Sequence, residues 1–211
     1  MQSTTIAVIG DTGKIGSVLT QSLVEKGYKL KLLVRTPEKI SQNSSVVLVK
    51  GDARDIDALN ELVKGCDLLI NCIGQPKGEA PLFSLVAENV LNAMSNQGLC
   101  RYIVIAGLGL EIETDKKRFV TKFLTRFMHF VLPSIMNDKK LEFKLIAGSS
   151  LDWTFIRIPK VTLSSPNKAV TANESDCLSW KVNVYGLVEF MISQIESQEY
   201  VKKAPFVFSM P

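Results

Sequence analysis

The sequence predicts an α/β protein built on a doubly wound parallel sheet, on the strength of its element order, its opening loop and its size. Apolar runs alternate with amphipathic segments from Thr5 almost to the end, the order expected when each strand is followed by a helix that crosses back over the sheet. The first apolar run breaks at a glycine-rich stretch and resumes at helical spacing. A chain of 211 residues, 46% hydrophobic and with a mean hydropathy of +0.15, can bury one large core without dividing. The expected organisation is a single domain over residues 1–211, with helices on both faces of the sheet.

The first strand is Thr5-Ile6-Ala7-Val8-Ile9, followed by Gly10-Asp11-Thr12-Gly13-Lys14-Ile15-Gly16 and a helix carrying Val18, Leu19, Leu23 and Val24. A strand that turns sharply into a helix in this way presents free backbone N–H groups and the helix N-terminus to a pyrophosphate. Gly10 permits the tight turn, Gly13 the close approach of backbone to phosphate, and Gly16 the packing of helix on strand, while Lys14 adds a cation at the phosphate edge. Thr12 and Ile15 belong to the same loop and helix entry. The expected ligand is a dinucleotide.

The second strand, Leu30-Lys31-Leu32-Leu33-Val34, ends at Arg35-Thr36, where a parallel sheet of the Rossmann type meets the adenosine ribose. An acidic side chain there would bind the ribose 2′-OH and repel a 2′-phosphate. Arg35 instead offers a guanidinium fork suited to phosphate and able to stack on adenine. The expected cofactor is NADP(H) rather than NAD(H).

Val46-Val47-Leu48-Val49 is a third strand, and Asp55 is placed as the N-cap of a helix running to about Val63. A fourth strand covers Leu68 to Gly74 and opens into a Gly/Pro loop, Gln75 to Pro81. A helix over Leu82 to Asn96 and a fifth strand, Tyr102-Ile103-Val104-Ile105-Ala106, follow. A sixth strand is expected at Trp153 to Arg157, a helix at Val182 to Ile195 and a short last strand at Pro205 to Phe208.

Composition excludes several classes. A net charge of +4 is too mild to imply nucleic acid. The first strand begins within five residues of Met1, so no signal peptide is expected, and no apolar stretch approaches the roughly 20 residues of a bilayer span. The expected location is the cytoplasm. Cys66, Cys72, Cys100 and Cys177 lack any metal-ligand or CxxC spacing and read as reduced, buried thiols, and with His129 as the only histidine no metal site is expected.

The motifs together resemble those of an atypical short-chain dehydrogenase/reductase, in the group of NmrA-like proteins and the biliverdin-IXβ reductase (flavin reductase) type. The resemblance rests on Gly10-x-x-Gly13-x-x-Gly16, Leu33-Val34-Arg35, Gly51-Asp52-Ala53-Arg54-Asp55, Asp138-Lys139-Lys140-Leu141-Glu142 and Ser150 to Pro159. A looser match covers Leu178 to Tyr185, with Asn183 where the family usually has Asp. The resemblance implies that Asp52 meets the adenine beside Ala53. It also implies that Cys72, Ile73 and Gly74 after the fourth strand and Ala106 and Gly107 after the fifth complete the cofactor site. It places the substrate pocket over Leu108, Met136, Pro159 and Lys160, within and around a small C-terminal portion, about 159–211, with Lys139 and Lys140 as further candidates for an anionic substrate group.

Short-chain dehydrogenases of the usual kind use a Tyr-x-x-x-Lys pair and a serine to protonate and orient a carbonyl. The residues at that spacing from the four tyrosines are Leu32 after Tyr28, Ala106 after Tyr102, Glu189 after Tyr185 and Ala204 after Tyr200, and the fifth strand ends Ala106-Gly107-Leu108-Gly109 with no hydroxyl. No catalytic residue is assigned. A hydride still transfers without such a triad if the acceptor is a flavin, quinone or related conjugated ring system that takes its proton from water. The leading expectation is thus an NADPH-dependent oxidoreductase acting on a small conjugated acceptor. The alternatives are an NADP(H)-binding redox sensor of the NmrA type, which would have a protein partner, and an NAD(P)-dependent epimerase or dehydratase.

The segment Thr114 to Leu132 interleaves Lys116, Lys117, Arg118, Lys122 and Arg126 with Phe119, Phe123, Phe127 and Phe130 at helical spacing. Its simplest account is a helix packed on the sheet with its cations in water. A lid over the substrate site, or a membrane-surface or partner-binding face, are the other accounts. Exposed phenylalanines favour the last group, and buried ones leave only core or lid.

Overall fold

The computed structural model describes residues 4–37, 44–76, 78–163 and 169–210. Lys77, in the expected Gly/Pro loop, lies outside the described residues. Strands β1 (Thr5–Ile9), β2 (Lys29–Val34), β3 (Val46–Lys50), β4 (Leu68–Asn71), β5 (Arg101–Gly107), β6 (Asp152–Ile158), β8 (Val170–Asn173) and β10 (Phe206–Ser209) form one sheet. Its order is β3-β2-β1-β4-β5-β6-β10-β8, parallel throughout except where β8 runs antiparallel to β10. The order reverses direction between β1 and β4, and this switch point is where an open α/β sheet leaves a crevice at its carboxyl edge.

Both faces of the sheet are apolar because side chains alternate across it. Ala7, Ile9, Leu33, Leu69, Val104 and Phe155 face one layer, covered by α2 (Ile56–Val63), α3 (Phe83–Gln97) and α5 (Pro133–Ala147). Ile6, Val8, Leu32, Ile70, Ile103 and Ile156 face the other, covered by α1 (Lys14–Glu25) and α6 (Val184–Ser193). The doubly wound Rossmann-type architecture expected from the sequence is the one observed.

Local signals set most boundaries. Asp55 caps α2, its Oδ1 accepting the N–H of Asp57 at 2.9 Å. Asn183 caps α6, accepting from the N–H groups of Tyr185 and Gly186 at 3.0 and 3.1 Å, so the amide fills the place expected for a carboxylate. That cap starts the helix two residues later than Val182, which lies instead in β9 (Lys181–Asn183), paired in a small parallel ribbon with β7 (Lys160–Thr162). Helix α3 has no cap of its own at Leu82, and Asp138 of α5 supplies one, accepting from Phe83 N at 2.7 Å and from the Ser84 hydroxyl. Strand β4 stops at Asn71, short of the Gly74 expected.

The expected single helix over Thr114 to Leu132 is shorter, α4 (Phe119–Val131), and Pro133 opens α5 immediately after it. Its orientation overturns the simplest expectation. Phe119, Phe123, Phe127 and Phe130 are exposed, whereas Thr121 and Thr125 are buried. The helix leans on α5 with Thr121, Leu124, Thr125 and Met128 inward, the threonines meeting a surface that holds the buried charges of Asp115, Lys117 and Arg157.

Candidate functional site

The loop joining β1 to α1 is shaped by backbone that has no room for side chains. Gly10 sits at φ +87, and a Cβ there would stand 2.8 Å from the carbonyl carbon of Cys72. A Cβ on Gly16, inside the first turn of α1, would collide with the Gly10 carbonyl oxygen and lie 2.7 Å from Asp11 Cα. Gly16 therefore packs helix against loop rather than helix against strand, a correction to the role expected for it. Gly13 is the N-cap of α1 and brings no capping side chain, and the first turn holds no acid. The open N–H groups and positive end of the helix dipole are thus turned to an anion.

The loop forms one wall of a cavity of about 480 Å3. Gly10, Thr12, Gly13, Arg35, Thr36, Asp52, Ala53, Cys72, Ile73 and Gly74 all line it, brought together from the ends of β1, β2, β3 and β4. Lys14 is exposed, Ile15 half-buried and Gly16 buried, and all three lie in the first turn of α1, outside the lining.

Two residues that the sequence did not single out, Arg54 and Glu79, also line the cavity. The guanidinium of Arg54 donates to both carboxylate oxygens of Asp52, at 2.8 and 2.9 Å, and to Glu79 at 3.1 Å. This holds the Asp52 carboxyl below the usual carboxylate range. Asp52 and Arg54 also share a backbone contact at 2.9 Å, an i, i+2 relation that sequence spacing alone could have suggested. Arg35 is exposed on the cavity and makes no ion pair among the described residues. Of the two arginines, Arg54 is held by two carboxylates, whereas Arg35 has no ion pair among the described residues and contributes to Asp52 only through its charge.

At the end of β4, the Asn71 side-chain Oδ1 accepts the Ile73 N–H at 3.0 Å while its Nδ2 donates to the Tyr102 hydroxyl at 3.0 Å. The pair pins the backbone that faces Gly10. Burial drives the Tyr102 phenol far above its ordinary pKa, so it is no proton donor near neutrality. Burial likewise pushes the Cys72 thiol up to about 12.

Asp11 is buried beside the same backbone, and desolvation raises its pKa against two lowering hydrogen bonds, from the Thr12 N–H and from its own. A carboxyl whose folded pKa is raised weakens the fold where it is ionised, above the folded value, and costs nothing below the unfolded value. Asp11→Asn should therefore raise the melting temperature at neutral pH, with the gain shrinking as pH falls into the ordinary carboxylate range. A gain that is the same at both pH values would exclude the buried charge as its cause.

The remaining candidates sit apart from the cavity. Ala106 is buried within β5 and Gly107 is exposed at its end. Leu108 is buried against Cys177, Phe206 and Phe208. Met136 on α5 is buried with its sulfur over Gly109, Pro159 is buried, and Lys160 is exposed in β7. Lys139 departs from the expectation of a cation available to a substrate. It is buried, 2.8 Å from Glu142 and 3.5 Å from the centre of the Phe83 ring. Lys140 is exposed.

Arg157, fully buried, donates to both oxygens of Asp115 at 2.7 and 2.8 Å and to the Ala204 carbonyl at 2.8 Å, and stacks on Phe206. Among the described residues no cluster of His, Cys, Asp and Glu could hold a metal. The cysteines are free, but of the four expected to be buried only Cys177 is; Cys66 and Cys72 are half-buried and Cys100 is exposed.

A glycine-shaped loop, an open helix N-terminus and a strand-end arginine around one cavity define a dinucleotide-binding α/β protein. The chain belongs to the NAD(P)H-binding family, whose model matches residues 10–198. It is similar to the uncharacterized protein YwnB of Bacillus subtilis, 23% identical over 72% of this chain and 70% of that protein. A short-chain dehydrogenase/reductase of Veillonella parvula, solved in complex with NADP, superposes with a TM-score of 0.80 at 16% identity, covering 97% of this chain and 94% of its own. An anaerobilin reductase of Escherichia coli does so with a TM-score of 0.82 at 15% identity, covering 97% of each chain. Among longer relatives, cinnamoyl-CoA reductase 1 of Petunia hybrida is 26% identical over 49% of this chain but only 35% of its own length. No described helix is long and apolar enough to cross a membrane.

Proposed function

We propose that this protein is an NADPH-dependent reductase that delivers hydride to a small conjugated acceptor, a flavin, quinone or bilin. The observation that carries the reading is the guanidinium of Arg35, which lines the same cavity as the glycine loop without an ion pair among the described residues, while Arg54 is held by Asp52 and Glu79. When bound, NADPH supplies a hydride from its dihydronicotinamide ring. The residues of this chain bind and orient: the α1 N-terminus with Gly10, Thr12 and Gly13 holds the pyrophosphate, Arg35 and Thr36 the 2′-phosphate, and Asp52 and Ala53 the adenine side.

In this reading the nicotinamide would lie toward the β5 end at Ala106 and Gly107, where the side chains of Ala106-Gly107-Leu108-Gly109 carry no hydroxyl. Tyr102, near the start of β5, is tied to Asn71 and stays protonated. An acceptor that stabilises the incoming electron pair in its own ring system, and takes its proton from water, suits such a site. The similarity to an anaerobilin reductase is in keeping with this acceptor class.

The test is NADPH oxidation by purified protein with FMN, riboflavin, a quinone and biliverdin in parallel, against a control without acceptor. Saturable turnover with one of them is expected, and Tyr102→Phe should keep at least roughly half of it, since general acid catalysis by a tyrosine would be worth about a hundredfold or more. Tight NADPH binding with no turnover on any acceptor would overturn the reductase reading in favour of an NADP(H)-binding sensor.

A further inference from the structure

We propose that the outward face of α4 docks on the surface of an anionic lipid bilayer. Phe119 and Phe130 are each 84% exposed, Phe123 66% and Phe127 55%. Their spacing puts them in one stripe along a 13-residue helix, continued by exposed Val120, Val131 and Leu132. Monomeric proteins expose large apolar residues singly, and a contiguous stripe marks a surface that something else covers. The stripe is not a misplaced core face. Thr121 and Thr125 turn inward, Lys117 donates to Thr125 at 3.3 Å, and Thr125 donates to the Thr121 carbonyl at 2.9 Å, so the inner side has its own polar partners.

Charge identifies the occupant. From Lys116 to Asn137 the chain has no Asp or Glu, while Lys116, Lys122 and Arg126 carry no ion pair among the described residues. By helical spacing Lys122 and Arg126 lie along one flank of the phenylalanine stripe. An apolar face edged by cations without compensating acids is what a helix lying in a membrane interface needs: aromatic rings at the acyl boundary and cations at lipid phosphates. A second copy of this chain fits poorly, because a two-fold pairing would set this acid-free, basic face against itself. At 13 residues α4 is about 20 Å long, enough to lie on a bilayer and too short to span it.

The proposal is tested by flotation with vesicles of phosphatidylglycerol and phosphatidylcholine against vesicles of phosphatidylcholine alone. The full chain should float with the anionic vesicles, less so as salt is raised. Phe123→Ser with Phe130→Ser, and separately Lys122→Glu with Arg126→Glu, should each weaken binding by on the order of tenfold. These positions are exposed, so thermal melting of the variants should match the parent, and if a variant fails to fold the lipid and salt dependence of the parent decides. Failure of the parent to float, or flotation untouched by both pairs of substitutions, would overturn the proposal. So would a parent dimer that the Phe123→Ser and Phe130→Ser variant converts to monomer, which would assign the face to self-association. The assay contains no nucleotide or acceptor, so its result is independent of the reductase reading.

Discussion

Arg35→Ala is expected to weaken NADPH binding by roughly five- to 150-fold while leaving NADH binding unchanged. That range is the ~1 to 3 kcal/mol typical of losing a charge-assisted hydrogen bond to an anion. The contrast between the two arginines makes the effect specific. Arg54 already donates to Asp52 and Glu79, so its charge is largely satisfied before any ligand arrives. Among the described residues Arg35 has no such ion pair, and it lies on the same cavity wall as Thr36 and Gly51. Arg35→Lys should recover part of the loss, since an ammonium keeps the charge but not the planar fork. Raising the salt concentration should narrow the gap between the two nucleotides, because the site is exposed to solvent. Titration calorimetry with NADPH and NADH on the same preparations decides the matter: equal weakening of both would refute the 2′-phosphate assignment.

What was legible in the sequence is what local chemistry determines. The glycine spacing, the Asp55 cap and the Arg35 strand end act within a few residues of themselves: Asp55 caps α2, and Gly10, Gly13 and Arg35 line one cavity, while Gly16 packs on the loop instead of the strand. What was not legible depends on distant partners. Helix α4 shows an apolar face at helical spacing, but the spacing says only that a face exists. The inward direction is chosen by the Arg157–Asp115–Lys117 network, built from segments about 40 residues apart in sequence. Lys139 and Glu142 stand three residues apart, as exposed pairs often do, yet they are buried because Phe83 comes across from α3. Strands β7, β8 and β9 are only three or four residues long and too short for a period to show. The substrate side suffered most for the same reason. Leu108 and Met136 come from separate elements whose packing on Phe206 and Gly109 no local pattern encodes.

Gly16→Ala should abolish measurable binding of NADPH and NADH alike and lower the melting temperature by several degrees. Two opposed effects meet at this position. Gly16 lies inside α1, where alanine is the better helix former by about 1 kcal/mol. Against that, the new methyl would overlap the Gly10 carbonyl oxygen and press on Asp11 Cα at 2.7 Å. Both obstacles are backbone, so no side-chain rotation relieves them. Overpacking of this kind costs about 1 to 3 kcal/mol even when neighbours yield, and here the neighbour that must yield is the pyrophosphate loop itself. The steric effect wins, and its cost falls on the ligand site as well as on stability. Gly109→Ala is the informative control. Its methyl would also collide, but with the sulfur of Met136, the far end of a flexible side chain that can move aside. It should melt within a few degrees of the parent and keep its affinity for NADPH. The pattern across nucleotides would separate the two sites: loss at Arg35 is expected to fall on NADPH alone, and loss at Gly16 on both nucleotides. If Gly16→Ala melted and bound like the parent, the loop would have to be soft enough to move by an ångström at no cost, and the preformed pyrophosphate cradle argued from Gly10 and Gly16 would be wrong.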